Sequence, residues 1–258
     1  NAPRILFGCG DWIFAVDPKT GSSLPAFGDG GRAAIPTGAV ADGAIFKHVY
    51  ATTGKVGDAY GYDVRTGKML WRFKSQSEEF PSTSGGNGWS GLSLDDHRGI
   101  AFLALGNPPT NMVGIDRPGD NLFSNCVVAL DVMTGKRLWH FQTVAHDLWD
   151  LDVVAQPNLV TILREGRLVD AVTGLSKGGT LLLLDRVSGK PIFPFRLRRA
   201  PVSTLPGERT APYQPDPEMP EQISPMEFNP ADITDRTPEA REFVLKIVQF
   251  SNYGFYQP

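Results

Sequence analysis

The feature that most constrains the fold of this chain is a turn motif that occurs four times. In each copy an aspartate is followed three residues later by Thr or Ser and four residues later by Gly. A large apolar residue or a proline stands eight residues after the aspartate, and a phenylalanine stands ten residues after it. The copies are AVDPKTGSSLPAF at 15–27, GYDVRTGKMLWRF at 61–73, ALDVMTGKRLWHF at 129–141 and LLDRVSGKPIFPF at 183–195.

The motif predicts β-hairpins that must pack against one another. The aspartate can accept hydrogen bonds from backbone N–H groups of the turn, and the glycine supplies the positive φ at its end. One hairpin cannot bury its apolar face alone, so similar units must stack on it. The four aspartates are separated by 46, 68 and 54 residues, which suits four-stranded blades with variable loops. We therefore predict an all-β chain in which residues 1–200 form consecutive antiparallel blades of a β-propeller, with the four turns placed equivalently.

Other segments complete the predicted architecture. Short β-rich runs predict strands at 44–52, 99–105, 126–130 and 180–184. Eight prolines fall between Pro201 and Pro230, so residues 200–235 are expected as an extended excursion across the surface. Thr237 and Pro238 resemble an N-cap and a first helical residue, which predicts a short helix over 237–249. We expect its apolar face to pack on the propeller (Ala240, Phe243, Val244, Ile247 and Val248).

Composition limits the partners of the chain. A net charge of −3 without a compensating basic cluster argues against nucleic-acid binding. No apolar run approaches the ~18 residues of a spanning helix, so membrane association would come only through segments outside this sequence or through a partner. No signal peptide opens the sequence, and a processed or truncated N-terminus is expected. Cys9 and Cys126 can either pair or remain two buried free thiols.

One stretch after the third repeat groups residue types that carry chemistry. Residues 146–152 read HDLWDLD, and an isolated Lys177 follows beside two glycines. Loops on a rigid scaffold commonly carry binding and catalytic residues, although an acidic surface loop is an equal alternative for this stretch alone. With Gln156-Pro157, SKGG at 176–179 and LLLLDRVSGK at 181–190, the pattern resembles the active-site segment of dehydrogenases that depend on pyrroloquinoline quinone (PQQ). Their glucose, quinate and polyol branch is the most similar.

The resemblance extends to the fold. The fourfold motif resembles the tryptophan-docking motif of quinoprotein propellers, although its first and fourth copies lack the tryptophan. Family members close eight blades over a longer chain. The resemblance therefore implies that residues 1–258 are a partial propeller domain with about four of the eight blades.

The resemblance also assigns roles to Asp150 and Lys177. Asp150 occupies the place of the family's base, which takes the hydroxyl proton as the alcohol is oxidised. Lys177 occupies the place of a lysine or arginine that hydrogen-bonds the quinone oxygens and stabilises negative charge on the reduced cofactor. The alternatives are an aspartate that caps a turn and an exposed turn lysine.

Two upstream segments add candidate cofactor and metal contacts. The glycine-rich GGNGWSG at 85–91 resembles the family segment whose tryptophan lies under PQQ, so Trp89 is the candidate, with an ordinary blade tryptophan as the alternative. Asn107 lies in a Gly-Asn-Pro turn that resembles the family's Ca²⁺-binding asparagine; alone, it is only a turn signal. Asn107, Asp150 and Asp152 would hold the metal, with a lanthanide or Mg²⁺ as alternatives to Ca²⁺. Family members usually carry an acidic or Asp-Asn metal ligand before the second repeat. Here Asp58 is the only acid in that loop, so either the ligand is lost or the loop is shortened.

The implied function is oxidation of a sugar, polyol or other alcohol by hydride transfer to PQQ. The resemblance further implies a periplasmic enzyme that passes electrons to a cytochrome or ubiquinone. The alternative is a non-catalytic propeller that serves as an interaction or assembly scaffold. A scaffold has no reason to keep the candidate site residues at family spacing, so the enzyme interpretation predicts that they converge in one pocket (Trp89, Asn107, Asp150 and Lys177).

Overall fold

The structure is a computed structural model that describes residues 3–76, 85–225 and 227–258. Its strands form five antiparallel sheets, and strands adjacent in each sheet follow one another in the chain. We call the first four sheets blades 1 to 4. Blade 1 contains β1 (Ile5–Cys9), β2 (Trp12–Val16) and β3 (Arg32–Ala34), and blade 2 contains β4 (Ala44–Phe46), β5 (Val49–Thr53), β6 (Ala59–Asp63) and β7 (Met69–Phe73). Blade 3 contains β8 (Leu92–Asp95), β9 (Ile100–Ala104), β10 (Cys126–Asp131) and β11 (Arg137–Gln142). Blade 4 contains β12 (Leu159–Arg164), β13 (Arg167–Leu175) and β14 (Leu181–Asp185), and the fifth sheet pairs β15 (Phe195–Arg199) with β16 (Tyr213–Pro217).

The four repeated turns have the same local structure, as predicted. In each, the aspartate Oδ1 accepts a hydrogen bond from the backbone N–H three residues later, at 2.7–3.1 Å. The glycine that follows has a φ of 70–72° in all four copies, a conformation that favours a residue without a Cβ. The motif therefore specifies the turn locally, before any contact between blades.

Tryptophan joins each of the two middle repeats to the next blade. Trp71 of β7 lies over Gly135 in the turn of blade 3, and a Cβ at that glycine would stand 2.5 Å from the indole. The Trp71 Nε1 donates to the backbone oxygen of Val132 at 2.8 Å. Trp139 of β11 covers Gly189 in the turn of blade 4 at the same distance. The docking is thus one interaction repeated between successive blades.

The two repeats without tryptophan form less complete hairpins. After the turn, the first copy makes one bridge, Val16 with Ser23, and the fourth makes one bridge, Leu184 with Pro191. Proline has no N–H to donate to a strand ladder, and both copies carry proline beyond the turn. The prediction of four strands therefore holds for blades 2 and 3, whereas blades 1 and 4 have three strands each among the described residues.

The core lies between the blades. All five residues of β9 are buried, because neighbouring blades cover both faces of the strand. Leu103 packs in one cluster with Val49 of blade 2, and the adjacent Phe102 packs in another with Val172 of blade 4. Successive side chains of a strand point to opposite faces, so one central strand serves two interfaces.

A charge network reinforces the interface between blades 3 and 4. The buried Asp95 accepts hydrogen bonds from Arg98 Nη1 at 2.7 Å and from Arg186 Nη1, in the turn of blade 4, at 3.1 Å. Arg98 also reaches Asp170 of β13 at 2.5 Å. Burial alone would raise the pKa of the Asp95 carboxyl, but the arginine hydrogen bonds outweigh it and lower that pKa.

The prediction of one continuous strand over 44–52 is wrong. The chain reverses at Lys47, which has a φ of 54°, and β4 pairs back on β5 with Phe46 opposite Val49. The two-residue turn contains no Gly, Asn or Pro, so the sequence carries no local signal for it. The other three predicted strands correspond to β9, β10 and β14.

The helix forms where predicted but does not pack as predicted. Helix α1 (Pro238–Val248) begins after Thr237, whose Oγ1 accepts a hydrogen bond from the Ala240 N–H at 3.1 Å. None of its residues is buried, and Phe243 and Ile247 are 67% and 53% exposed. Its contact with the preceding segment is polar, through a hydrogen bond from Arg241 to a backbone oxygen. In the described part of the chain, no helix is long and apolar enough to cross a membrane.

The cysteines are not paired. Cys9 lies exposed in blade 1, whereas Cys126 is buried in β10 of blade 3, and both thiols are free. Burial raises the pKa of the Cys126 thiol well above its ordinary value. Of the two alternatives open from the sequence, the structure has two free thiols, but only Cys126 is buried as expected, whereas Cys9 is exposed.

Candidate active site

The predicted site residues converge on one pocket. A cavity of about 660 Å³ opens at one end of blades 2, 3 and 4, where loops join the strands. Although 88 residues separate the first from the last along the chain, five predicted side chains line it: Trp89, Asn107, Asp150, Asp152 and Lys177. Its volume lies within the range of ligand pockets.

A lysine lies between two carboxylates in this pocket. The Lys177 Nζ is 2.6 Å from the Oδ2 of Asp150 and 2.6 Å from the Oδ2 of Asp152. Desolvation lowers the pKa of Lys177, but the hydrogen bonds to the two carboxylates outweigh it and raise that pKa. The ammonium group therefore stays charged and holds the two acids together.

The loop that carries Asp150 is folded around Asp147. The Asp147 carboxylate accepts hydrogen bonds from the N–H groups of Trp149 at 2.8 Å and Leu151 at 2.7 Å, and from Asn125 Nδ2 at 2.9 Å. Burial raises the pKa of the Asp147 carboxyl. Asp150 lies between these anchored residues with a φ of 61°, which is uncommon for a residue other than glycine. Asp147 thus holds the turn, and the Asp150 side chain is left to face the pocket.

Asp152 connects this loop to the loop of Asn107. Its Oδ1 accepts the backbone N–H of Asn107 at 2.6 Å, and its backbone oxygen accepts the N–H of Lys177 at 2.9 Å. Asp152 is buried, and Asp150 Oδ1 receives a further hydrogen bond from Asn111 Nδ2 at 3.2 Å. Both acids, which lie in the loop between β11 and β12, are consequently fixed by direct hydrogen bonds to the loop between β9 and β10.

The glycine-rich segment before β8 forms one wall. A Cβ at Gly86 would lie 1.8 Å from the backbone oxygen of Gly106, and a Cβ at Gly106 would lie 2.3 Å from Asp152 Oδ1. The glycines therefore allow two backbones to touch. Trp89, which follows them, is 43% exposed and lines the pocket. Asn87 also lines the cavity, and its Oδ1 is buried without a hydrogen-bond partner among the described residues. Asn87 was not predicted as a site residue from the sequence, although its place between Gly86 and Trp89 was a signal that it belongs to the pocket.

The loop before the second repeat contributes no acid to the pocket. Asp58 is buried and accepts hydrogen bonds from Arg72 Nε at 2.7 Å and from the Ser75 N–H at 3.0 Å. Lys55 and Val56 line the cavity instead. Within the described ranges, no group of three His, Cys, Asp or Glu residues could hold a metal by itself.

The pocket nevertheless has the donors that the family's ligands need. A planar cofactor with acidic groups fits a cavity that presents an indole, exposed backbone and a charged lysine. Two carboxylates that already share one ammonium group, with an asparagine beside them, also fit a hard cation. Oxygen atoms from a bound cofactor or water would have to complete its coordination.

Comparisons with known proteins identify the family of the chain. Residues 1–258 match the family described as the PQQ glucose/ethanol/alcohol dehydrogenase β-propeller domain. The quinoprotein glucose dehydrogenase of Gluconobacter oxydans (strain 621H) is 32% identical over 83% of this chain and 31% of that protein. The glycerol dehydrogenase large subunit of the same organism is 32% identical over 82% of this chain and 33% of that protein. The chain thus spans about a third of the length of the curated relatives that it matches.

A solved structure supports the fold. The quinohemoprotein alcohol dehydrogenase of Comamonas testosteroni superposes with a TM-score of 0.64 over 83% of this chain and 36% of that chain, at 22% sequence identity. The predicted propeller architecture is confirmed, and the blades described here form a partial propeller. The family match over all 258 residues shows that this chain belongs to the β-propeller domain family of the PQQ-dependent glucose, ethanol and alcohol dehydrogenases.

Proposed function

We propose that the protein containing this chain is a PQQ-dependent dehydrogenase that oxidises a sugar, polyol or other alcohol. The observation that carries the proposal is the convergence of the predicted residues on one cavity, with Lys177 between two carboxylates. Two of the curated relatives are named as a glucose dehydrogenase and a glycerol dehydrogenase, which supports a polyhydroxylated substrate. Bound PQQ would supply the two-electron acceptor for the hydride.

Asp150 is proposed as the catalytic base. Its carboxylate faces the cavity, so it can take the hydroxyl proton of an alcohol placed there. Asn111 and Lys177 each hold one carboxylate oxygen, which fixes the orientation of the group. Lys177 would also bind oxygen atoms of the cofactor and stabilise the negative charge of its reduced form. Trp89 would lie against the cofactor's planar ring system.

A metal ion would be held by Asn107, Asp150 and Asp152. These three residues offer amide and carboxylate oxygens, which Ca²⁺, Mg²⁺ and lanthanide ions all bind. Asp152 is hydrogen-bonded to the backbone of Asn107, so the two residues are already adjacent. We favour Ca²⁺ as the resident ion.

The remaining functional assignments follow from this proposal. Electrons would pass from the reduced cofactor to a cytochrome or ubiquinone, and the enzyme would work in the periplasm. Membrane association would come through other segments or a partner. The alternative, a propeller acting only as an assembly scaffold, does not explain a lysine directed at two acids in a cavity or an Asn87 oxygen that is buried with no partner in the described part of the chain.

An absorbance titration tests the proposal. Full-length protein is titrated with PQQ in the presence of Ca²⁺, and stoichiometric binding is expected. Trp89→Ala should weaken binding, whereas the matched control Trp12→Ala, in blade 1 and outside the cavity, should not. No binding with Ca²⁺, Mg²⁺ or a lanthanide would favour the scaffold.

A further inference from the structure

The proline-rich excursion carries two buried polar side chains that the proposed mechanism does not use. Gln214 in β16 is 0% exposed, and Glu208 is 9% exposed. Both contact the start of the loop that carries Asp150, more than 60 residues earlier in the chain. We call residues 200–217 the clamp segment. Buried polar groups at such separation are costly unless their hydrogen bonds are satisfied, so these contacts need an explanation.

Gln214 fixes Ala145, three residues after the end of β11. Its Oε1 accepts the N–H of Ala145 at 2.8 Å, and its Nε2 donates to the backbone oxygen of Ala145 at 2.8 Å. One side chain thus satisfies both backbone groups of that residue, as a paired strand would. Val144 is held on the other side by apolar packing with Ala200 and Tyr256.

Glu208 fixes the next residue. Its Oε1 lies 3.2 Å from His146 Nε2, and its Oε2 accepts the N–H of Gly114 at 2.5 Å. His146 Nδ1 donates to the backbone oxygen of Gly119 at 2.8 Å, because a carbonyl can only accept. Burial alone would raise the pKa of the Glu208 carboxyl, but the hydrogen bonds from Gly114 and His146 lower it. Each ring nitrogen of His146 therefore has a partner, Gly119 at Nδ1 and Glu208 at Nε2.

Further hydrogen bonds, through Arg117 and Asp147, join this part of the loop to Asp150. Arg117 donates to the backbone oxygen of Asp147, and the Asp147 carboxylate binds the N–H groups on either side of Asp150. His146 and Asp150 both have positive φ angles, 47° and 61°. Such conformations are unfavourable for residues with a Cβ and persist only where the surroundings impose them. Release of the loop at His146 would remove one of the constraints that hold Asp150 against Lys177.

We infer that Glu208 and Gln214 are positioning residues that hold Asp150 in its working orientation through Ala145 and His146. The inference rests on the proposed role of Asp150 as base. It gives the clamp segment a function in the reaction, although no residue of that segment lines the cavity of the site. A clamp that served only stability would lower the stability of the fold but leave the turnover of folded molecules unchanged.

Hydrogen–deuterium exchange of the full-length protein tests the positioning without relying on activity. Glu208→Met keeps roughly the length of the side chain but accepts no hydrogen bond from Gly114 or His146. We expect exchange across residues 145–152 to rise roughly tenfold, with β5 and β9 unchanged. Glu221→Met, at an exposed glutamate of the same proline-rich region, is the matched control and should change nothing. Gln214→Met should act like Glu208→Met, and either variant decides the question if the other does not fold.

Kinetics of the PQQ-loaded protein provide the second measurement. Glu208→Met should lower kcat by about 10–100-fold while the affinity for PQQ and KM stay within roughly twofold, because only the orientation of the base is disturbed. Unchanged exchange at 145–152, a uniform rise in exchange across all blades, or unchanged kcat in a loosened loop would each overturn the inference. If the wild-type protein neither binds PQQ nor oxidises an alcohol, the proposed function fails, and exchange alone still decides whether the clamp orders the loop.

Discussion

The tryptophan docking between blades can be tested with alanine substitutions at equivalent glycines. Gly135 and Gly21 occupy the same place in two copies of the turn, with φ angles of 70° and 72°. A Cβ at Gly135 would stand 2.5 Å from the Trp71 indole, whereas a Cβ at Gly21 would meet nothing within 4 Å. The two substitutions therefore share one backbone cost and differ only in the collision with tryptophan.

The geometry sets the expected magnitudes. An alanine in the left-handed region costs about 1–2 kcal/mol, which is the full expected effect of Gly21→Ala. Insertion of a methyl group into a packed contact adds about 1–3 kcal/mol to this cost. Gly135→Ala should therefore lower the free energy of unfolding by about 2–5 kcal/mol. Gly189→Ala should resemble Gly135→Ala, since Trp139 covers that glycine at the same distance.

Urea denaturation of the full-length protein, followed by circular dichroism, measures these differences. In the double variant Trp71→Ala with Gly135→Ala the collision is absent, so the second substitution should cost no more than Gly21→Ala. Equal decreases in the free energy of unfolding for Gly135→Ala and Gly21→Ala in the wild-type background would refute the docking of Trp71 on Gly135, and with it the equivalence of the turns.

Three further predictions follow from packing and charge. Because the folded-state pKa of Asp95 is lowered, its contribution to stability is present above the unfolded carboxyl pKa of about 4 and is lost as the pH falls below that value. Asp95→Asn should lower the free energy of unfolding by about 2–3 kcal/mol at pH 7. It should also flatten the decline in the urea midpoint between pH 5 and pH 3, and an unchanged decline would contradict the charge network. Leu103→Ala, in the strand shared by two interfaces, should cost about 2–5 kcal/mol in the same assay, and a loss like that of an exposed leucine would contradict the core assignment. A thiol reagent should label Cys9 alone in the native protein and Cys126 only after unfolding, whereas rapid labelling of both would contradict the burial of β10.

The parts of the fold that the sequence predicted are those fixed by local chemistry. The Asp-to-Gly turns form because each aspartate binds its own turn, and Thr237 caps a helix for the same kind of reason. The hairpin at Lys47 was not predictable, since lysine has no preference for positive φ and the pairing of β4 with β5 imposes it. The packing of α1 was mispredicted because an apolar face shows only that a partner surface is needed, not that the chain provides one.

The candidate site also contains residues that could be predicted from the sequence and residues that could not. Trp89, Asn107, Asp150 and Lys177 could be proposed because their spacing resembles a family, and the cavity that they line agrees with that proposal. Glu208 and Gln214 could not, because they act through contacts that span 62 and 69 residues and belong to no local pattern. A glutamate and a glutamine among prolines are ordinary surface residues until the fold buries them.

The most direct test of the proposed function compares PQQ binding with turnover in Asp150→Asn. The substitution keeps the size of the side chain and its contact with Asn111, but removes the group that would accept the proton. We predict that the full-length variant binds PQQ nearly as the wild type does, and that its rate of alcohol oxidation falls by about 10²–10⁴-fold. A variant that binds PQQ and oxidises a sugar or polyol at the wild-type rate would show that Asp150 is not the base and would contradict this account of the pocket.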